Sequence, residues 1–211
     1  MKTEIAKLLL SIKAVFIRPK DPFIWASGLR SPIYCDCRLI LSYPDARDII
    51  EQQLAELIKK HYPDCEALMG TSTAGIPHAA IAAHILKIPM GYVRCEIKTH
   101  GRENQIEGNL LPNQKVVVIE DLLSTSTSAV DVVTALREAG AQVLGIASIF
   151  TYNMQGSEDH MKKNNVVNHS LCDLDTLIDV AVQEKYISEQ DVPMVKSFRG
   201  NPSDLGWLVR G

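Results

Sequence analysis

The sequence predicts an α/β fold with a central, mostly parallel sheet flanked by helices and a small N-terminal hood. Through the middle of the chain, short apolar runs alternate with segments of helical length and pattern, which is the signature of βαβ units. The runs are continuously apolar rather than alternating, as expected of strands covered on both faces. Ahead of them, residues 23–41 mix aromatic and β-favouring residues around Ser27-Gly28, which reads as a hairpin or an irregular hood.

Taken in order, Ile5, Leu8, Leu9, Ile12, Val15 and Phe16 recur at three- and four-residue steps and predict a first helix. Pro19 and the Asp21-Pro22 pair end it. A second helix is expected from about Asp45, with Ile50, Leu54, Leu57 and Ile58 as its stripe. Residues 67–69 read as a short strand, 70–75 as a polar turn flanked by glycines, 76–86 as an alanine-rich helix and 90–94 as another strand. Residues 95–109 are polar and aperiodic. Residues 115–119 form a continuous apolar strand, 129–139 a helix with Val130, Val133 and Leu136 on one face, and 143–150 a further strand. The C-terminal third reads as mostly helical, with one stripe at Leu174, Leu177, Ile178 and Ala181. Ser188-Glu189-Gln190-Asp191 resembles a capping arrangement before Val192 and Val195. With no internal repeat and no long linker, residues 1–211 read as one domain, its hood formed mainly by residues 1–42.

The bulk composition narrows the function classes. The 211 residues are 46% hydrophobic and 22% charged, ordinary for a globular protein with a real core. A formal net charge of -3 argues against a broad nucleic-acid surface, which is usually basic. No apolar run is long enough to span a membrane, and the N-terminus lacks the apolar centre of a signal peptide, so a cytoplasmic protein without membrane partners is expected. Five cysteines, an odd number without a C-x-x-C pair, argue against a disulfide framework or a zinc site. Cys35 and Cys37 read as packing residues on one face of a strand.

The chemistry concentrates where the 115–119 strand runs into Glu120-Asp121-Leu122-Leu123 and then into Ser124-Thr125-Ser126-Thr127-Ser128. Ligands of open parallel sheets bind beyond the carboxyl ends of the strands. A helix start presents unpaired N–H groups and partial positive charge to a phosphate, and hydroxyls can add hydrogen bonds. The two carboxylates would repel that phosphate. They suit ribose hydroxyls, or the positive charge that builds on a ribose ring as its anomeric bond breaks. The plainer reading is a helix N-cap, but a cap needs one such residue, not five in a row after paired acids.

These residues resemble the phosphoribosyl pyrophosphate motif of the type I phosphoribosyltransferases. The resemblance to the orotate branch covers nearly the whole chain. Residues 21–34, running from Asp21-Pro22-Phe23 to Pro32-Ile33-Tyr34, resemble its hood segment; Gly70-Thr71-Ser72-Thr73-Ala74-Gly75-Ile76-Pro77 its pyrophosphate loop; and Arg94, Lys98, His100 and Gly101, followed by Gly108-Asn109, its mobile catalytic loop, about residues 94–109. The resemblance implies transfer of a phosphoribosyl group from phosphoribosyl pyrophosphate to orotate. On this numbering, Glu120 and Asp121 would hold the ribose hydroxyls and Ser124 to Ser128 the 5-phosphate, with Leu122 and Leu123 in the same motif. Thr71 to Gly75, including Thr73 and Ala74, would hold pyrophosphate oxygens. Ser124, the backbone at Tyr34 and Cys35, and Tyr152 would meet orotate. Arg94, Lys98 and His100 would close over the leaving group, reaching into the neighbouring site of a homodimer. Magnesium would ride on the pyrophosphate, with no direct protein ligand.

The polar stretch supports a lid independently, because long segments without secondary structure inside a compact domain are usually functional or disordered. The plainer reading is a solvated surface hairpin. Glu96, Glu103 and Glu107 dilute its positive charge. The chain also departs from the family pattern. Ser126 stands where the phosphate loop usually has glycine, which permits close backbone approach and positive φ; the serine either costs phosphate affinity or sits at an allowed angle. Cys95, Ala26 and Ala74 stand where many relatives have cations, and Tyr152 stands where some have an arginine for orotate. A phosphoribosyltransferase for another base, and a non-catalytic regulator that senses phosphoribosyl pyrophosphate, therefore remain open alternatives. His78, His84, His160, His169 and Trp25 read as surface or packing residues.

Overall fold

The computed structural model describes residues 1–18, 21–25, 28–94 and 105–202. The middle of the chain forms the expected alternation. β5 (Ala67–Thr71), α3 (Gly75–Leu86), β6 (Met90–Val93), β7 (Ile106–Glu107), β8 (Lys115–Leu123), α4 (Thr127–Glu138) and β9 (Gln142–Thr151) follow one another. α5 (Gln155–Lys163), β10 (Asn168–Asp173), α6 (Leu174–Gln183) and α7 (Val192–Gly200) complete the chain. The six strands order as β10-β9-β8-β5-β6-β7. All neighbours are parallel except β6 and β7. Val116, Val117, Val118 and Ile119 are fully buried, which is why β8 reads as an unbroken apolar run: it is covered on both faces. On one face lies a core with α1 (Lys2–Ser11), α2 (Pro44–His61), α3, α6 and α7; on the other, α4 and α5 pack over Val116, Val118 and Ile146.

Several boundaries differ from the sequence reading. The first helix stops at Ser11, although the apolar period continues to Phe16. Lys13 turns the chain with φ 57°, and β1 (Val15–Ile17) pairs antiparallel with β4 (Ile33–Cys35). A partner distant in sequence outweighed helical periodicity there, helped by two β-branched residues. The hood also contains the antiparallel pair β2 (Phe23–Ile24) and β3 (Arg30–Ser31) and a 3₁₀ helix over Cys37–Ser42. Cys37 therefore opens a helix rather than sharing a strand face with Cys35. β10 falls in the region expected to be mostly helical. It is an edge strand whose Asn168 and Ser170 bond to Ser148 of β9, so it lacks an apolar run. The expected cap before Val192 forms: Ser188 and Asp191 make a reciprocal capping box. His78 is fully buried and bonds Glu51, tying α3 to α2 as a packing residue, whereas His84 is exposed.

Candidate active site

The sheet reverses its direction of growth between β5 and β8. From β5 the chain runs through α3 to β6 on one side, and from β8 through α4 to β9 on the other. Such a switch point leaves a crevice at the carboxyl ends of the two strands. β8 extends past the expected end at Ile119 through the acid pair to Leu123. Its last residues pair with β9 alone, since the pairing with β5 stops at Ile119. The two loops singled out in the sequence, residues 72–74 and 124–126, leave these adjacent strand ends. Gly75 makes the approach possible: a Cβ there would lie 2.3 Å from the Ile119 carbonyl oxygen and 2.4 Å from Thr71 Oγ1. The Ser72–Thr73 peptide is cis.

Glu120 turns its carboxylate into this crevice. Thr71 Oγ1, 2.7 Å away, donates to Glu120 Oε1, and the Asp121 N–H donates to the same oxygen at 3.0 Å. Glu120 is only 8% exposed. Burial, reinforced by the charge of Asp121, pushes its pKa from the ordinary 4.5 up to about 8. The two neighbouring acids are therefore unequal, one screened from water and the other half-buried. A carboxyl whose folded pKa is raised contributes stability that is complete below its unfolded value and is lost as pH rises through the folded one. Between pH 5 and 8, wild-type stability is expected to fall relative to Glu120→Gln by on the order of 1 kcal/mol per pH unit. Thermal melts of both proteins across that range check this; parallel curves would contradict it.

In the loop between β8 and α4, Ser126 has φ 61° and ψ 3°, the left-handed region where glycine is at ease. It is the N-cap of α4 but its side chain makes no capping bond, so the helix start keeps its N–H groups for something else. Thr125 and Thr127 are exposed, with hydroxyls 3.2 Å apart, and Ser128 is also exposed. Two side chains of the motif turn away from the crevice. The Ser126 hydroxyl is buried and faces α5, so its side chain does not join the cradle. Leu123 is 1% exposed within the core beneath α4, and its carbonyl accepts from Tyr152 N–H; it anchors the loop rather than lining the crevice.

Beside Ser124 a cavity of about 220 Å³ is lined by Trp25, Tyr34, Cys35, Leu122, Ser124 and Tyr152. All four residues expected to meet the base converge there, and the volume suits a single heterocycle. Trp25 packs as expected, its ring centroid 5.4 Å from Tyr152 and 5.8 Å from Phe198, while Nε1 donates to the Ile33 carbonyl. It also forms a cavity wall, which composition alone did not reveal. Burial holds the Tyr152 phenol well above its usual pKa, so it remains a neutral donor. Cys35 and Cys37 place their Sγ atoms 3.5 Å apart beneath the cavity.

Arg94 follows β6 directly, and β6 runs beside β5; Ser72 donates through both N and Oγ to the Val93 carbonyl. Arg94 and Gln105 hydrogen-bond each other where the described chain stops and resumes around residues 95–104, so both ends of that stretch lie next to the 72–74 loop. Arg94 Nη1 is buried, has no hydrogen-bond partner among the described residues and lies 3.7 Å from Glu107. Lys98 and His100 lie outside the described residues.

Fold and family define a phosphoribosyltransferase: residues 43–185 match the phosphoribosyl transferase domain family. The orotate phosphoribosyltransferase of Bacillus cytotoxicus is 50% identical over 209 residues, 99% of this chain and 100% of the relative. That of Bacillus pumilus is 51% identical over 208 residues, 99% of this chain and 98% of the relative. A crystal structure of orotate phosphoribosyltransferase from Aeropyrum pernix aligns with a TM-score of 0.75 at 29% identity, covering 87% of this chain and 99% of that one. The chain belongs to the orotate phosphoribosyltransferase family.

Proposed function

We propose that the crevice between β5 and β8 transfers the 5-phosphoribosyl group of phosphoribosyl pyrophosphate to orotate, giving orotidine 5'-monophosphate and pyrophosphate in de novo pyrimidine biosynthesis. The observation that carries this reading is the convergence of three subsites. The phosphate loop and the 72–74 loop leave neighbouring strand ends, and the 220 Å³ cavity adjoins Ser124. In this arrangement the N–H groups at residues 124–128 hold the 5-phosphate. Residues 71–75 hold pyrophosphate. Glu120 and Asp121 take the ribose hydroxyls. Ser124, Tyr152 and the backbone at Tyr34 and Cys35 meet the base.

The reaction is a substitution at the anomeric carbon. The bond to the pyrophosphate oxygen breaks, the electron pair leaving with pyrophosphate, and an orotate ring nitrogen forms the new bond from the opposite face. Between them the ribose carries oxocarbenium character, which the acid pair stabilises. The attacking ring nitrogen gives up its proton to the departing pyrophosphate, so no strong protein base is needed. Arg94, Lys98 and His100 neutralise the departing charge, and closure of residues 94–109 keeps water from the sugar cation. Magnesium fits this site, because the hard oxygen atoms of Glu120 and Asp121 beside the crevice can accept hydrogen bonds from the ion's water shell. The ion would be carried by the pyrophosphate with water completing its shell, and it would supply further charge neutralisation to the leaving group. We place the enzyme in the cytoplasm as a homodimer exchanging catalytic loops.

Among the described residues, the side chains lining the base cavity include no cation to meet the orotate carboxylate. Base selectivity is therefore the informative test. Purified protein with phosphoribosyl pyrophosphate and magnesium is expected to consume orotate at least about a hundredfold more efficiently than uracil, adenine or hypoxanthine, since a site built for a polar group rejects analogues lacking it. Preference for any other base in a competition assay read by chromatography would overturn the substrate assignment.

A further inference from the structure

We propose that Ser126 is a positioning residue whose buried hydroxyl ties the phosphate loop to the first turns of α5 and holds the loop in its anion-binding shape. The inference rests on the phosphoribosyl-transfer reading above. Three facts support it. Ser126 occupies the left-handed region at φ 61°, which is unfavourable for an ordinary L-residue, so something offsets that cost. Its hydroxyl is buried and lies 2.6 Å from the Thr125 carbonyl, 3.2 Å from the Ser157 carbonyl and 3.4 Å from His160 Nδ1. And α5 borders the loop across a cavity of about 450 Å³ that Thr125, Thr127, Ser157 and His160 share.

The hydroxyl has one proton to give, to Thr125 or Ser157, and lone pairs that can face His160. Ser157 and His160 belong to α5, 31 and 34 residues further along the chain, so these contacts join two elements. Successive residues in left- and right-handed helical conformations turn their N–H groups to a common focus and form an anion nest. Ser126, left-handed, is followed by Thr127 at the helix start. Glycine would reach this shape freely but would also leave it freely. Serine is strained there, yet its hydroxyl is fastened from behind. Preorganisation of this kind acts on affinity for the bound anion and leaves the bond-breaking step alone.

The test compares Ser126→Ala, Ser126→Gly and His160→Ala with wild type. Both serine variants are expected to raise KM for phosphoribosyl pyrophosphate roughly threefold to tenfold, the equivalent of one lost hydrogen bond, with kcat within about twofold. Ser126→Gly should melt at or above the temperature of Ser126→Ala, because it loses the conformational cost while sharing the KM defect. A purely structural role would move stability and KM together. His160→Ala should raise the same KM, and Ser126→Ala/His160→Ala should be less than additive, as for residues in contact. A KM in Ser126→Gly equal to or below wild type, or full additivity in the double variant, would overturn the anchor. Wild-type protein that fails to turn over orotate would count against the reaction instead; the anchor would then be read from calorimetric Kd values for phosphoribosyl pyrophosphate in the same variants.

Discussion

Asp121→Asn is expected to lower kcat for orotate phosphoribosylation by roughly 10²- to 10³-fold, the size of effect seen when one preorganised electrostatic contact to a developing charge is removed. The expectation comes from the inequality of the two acids. Glu120 is buried, shares its Oε1 with Thr71 and the Asp121 N–H, and is pushed up to about 8. Burial and the Asp121 charge favour the protonated form of Glu120, so the larger share of the negative charge facing the ribose cation is expected from Asp121. The variant also has a second signature. Asp121 charge is the next largest cause, after burial, of the raised Glu120 pKa. In wild type, kcat/KM for phosphoribosyl pyrophosphate should rise with pH toward an inflection near about 8, and in Asp121→Asn that limb should move to lower pH. A kcat loss below about tenfold in a folded variant would show that the acids only bind ribose.

Lys98→Ala is expected to reduce kcat by roughly a hundredfold or more, because a departing pyrophosphate would lose a full positive charge. Lys98 itself lies outside the described residues, but the base of its segment does not. Arg94 and Gln105 are bonded to each other, and Ser72 of the neighbouring loop bonds the Val93 carbonyl. A segment leaving from there starts beside the 72–74 loop, the proposed pyrophosphate subsite. Mixing Lys98→Ala with Asp121→Asn also tests the proposed loop exchange. If the loop serves the partner's site, a hybrid dimer contains one site with both Asp121 and an intact loop, and activity returns on mixing. If each loop serves its own subunit, no site is complete and mixing restores nothing. Activity of Lys98→Ala within about twofold of wild type would remove the charge-neutralising role.

The fold was readable where burial dictates residue type. β8 and β9 are covered on both faces and announce themselves as apolar runs, and α4 and α6 show clean stripes. β10 was missed because an edge strand bonded through Asn168, Ser170 and Ser148 carries no apolar run. The end of α1 was missed because Val15 and Phe16 fit a helical period as well as a strand, and only Tyr34 and Cys35, pairing from far along the chain, decide between them. Around the crevice, the positions of the two loops and of the acid pair at the strand ends were legible from order and spacing. The burial of Glu120 was not, since it depends on Thr71 arriving from another strand. Nor was the direction of Ser126: glycine's absence was visible, but Ser157 and His160, which receive its hydroxyl, look like ordinary helix residues until α5 is folded against the loop.

The most direct test of the central claim follows orotate absorbance in purified protein with phosphoribosyl pyrophosphate, with and without magnesium, while pyrophosphate release is measured in parallel. Magnesium-dependent loss of orotate, matched mole for mole by pyrophosphate and yielding orotidine 5'-monophosphate, is the expected result. Folded protein that binds phosphoribosyl pyrophosphate but leaves orotate untouched would contradict it.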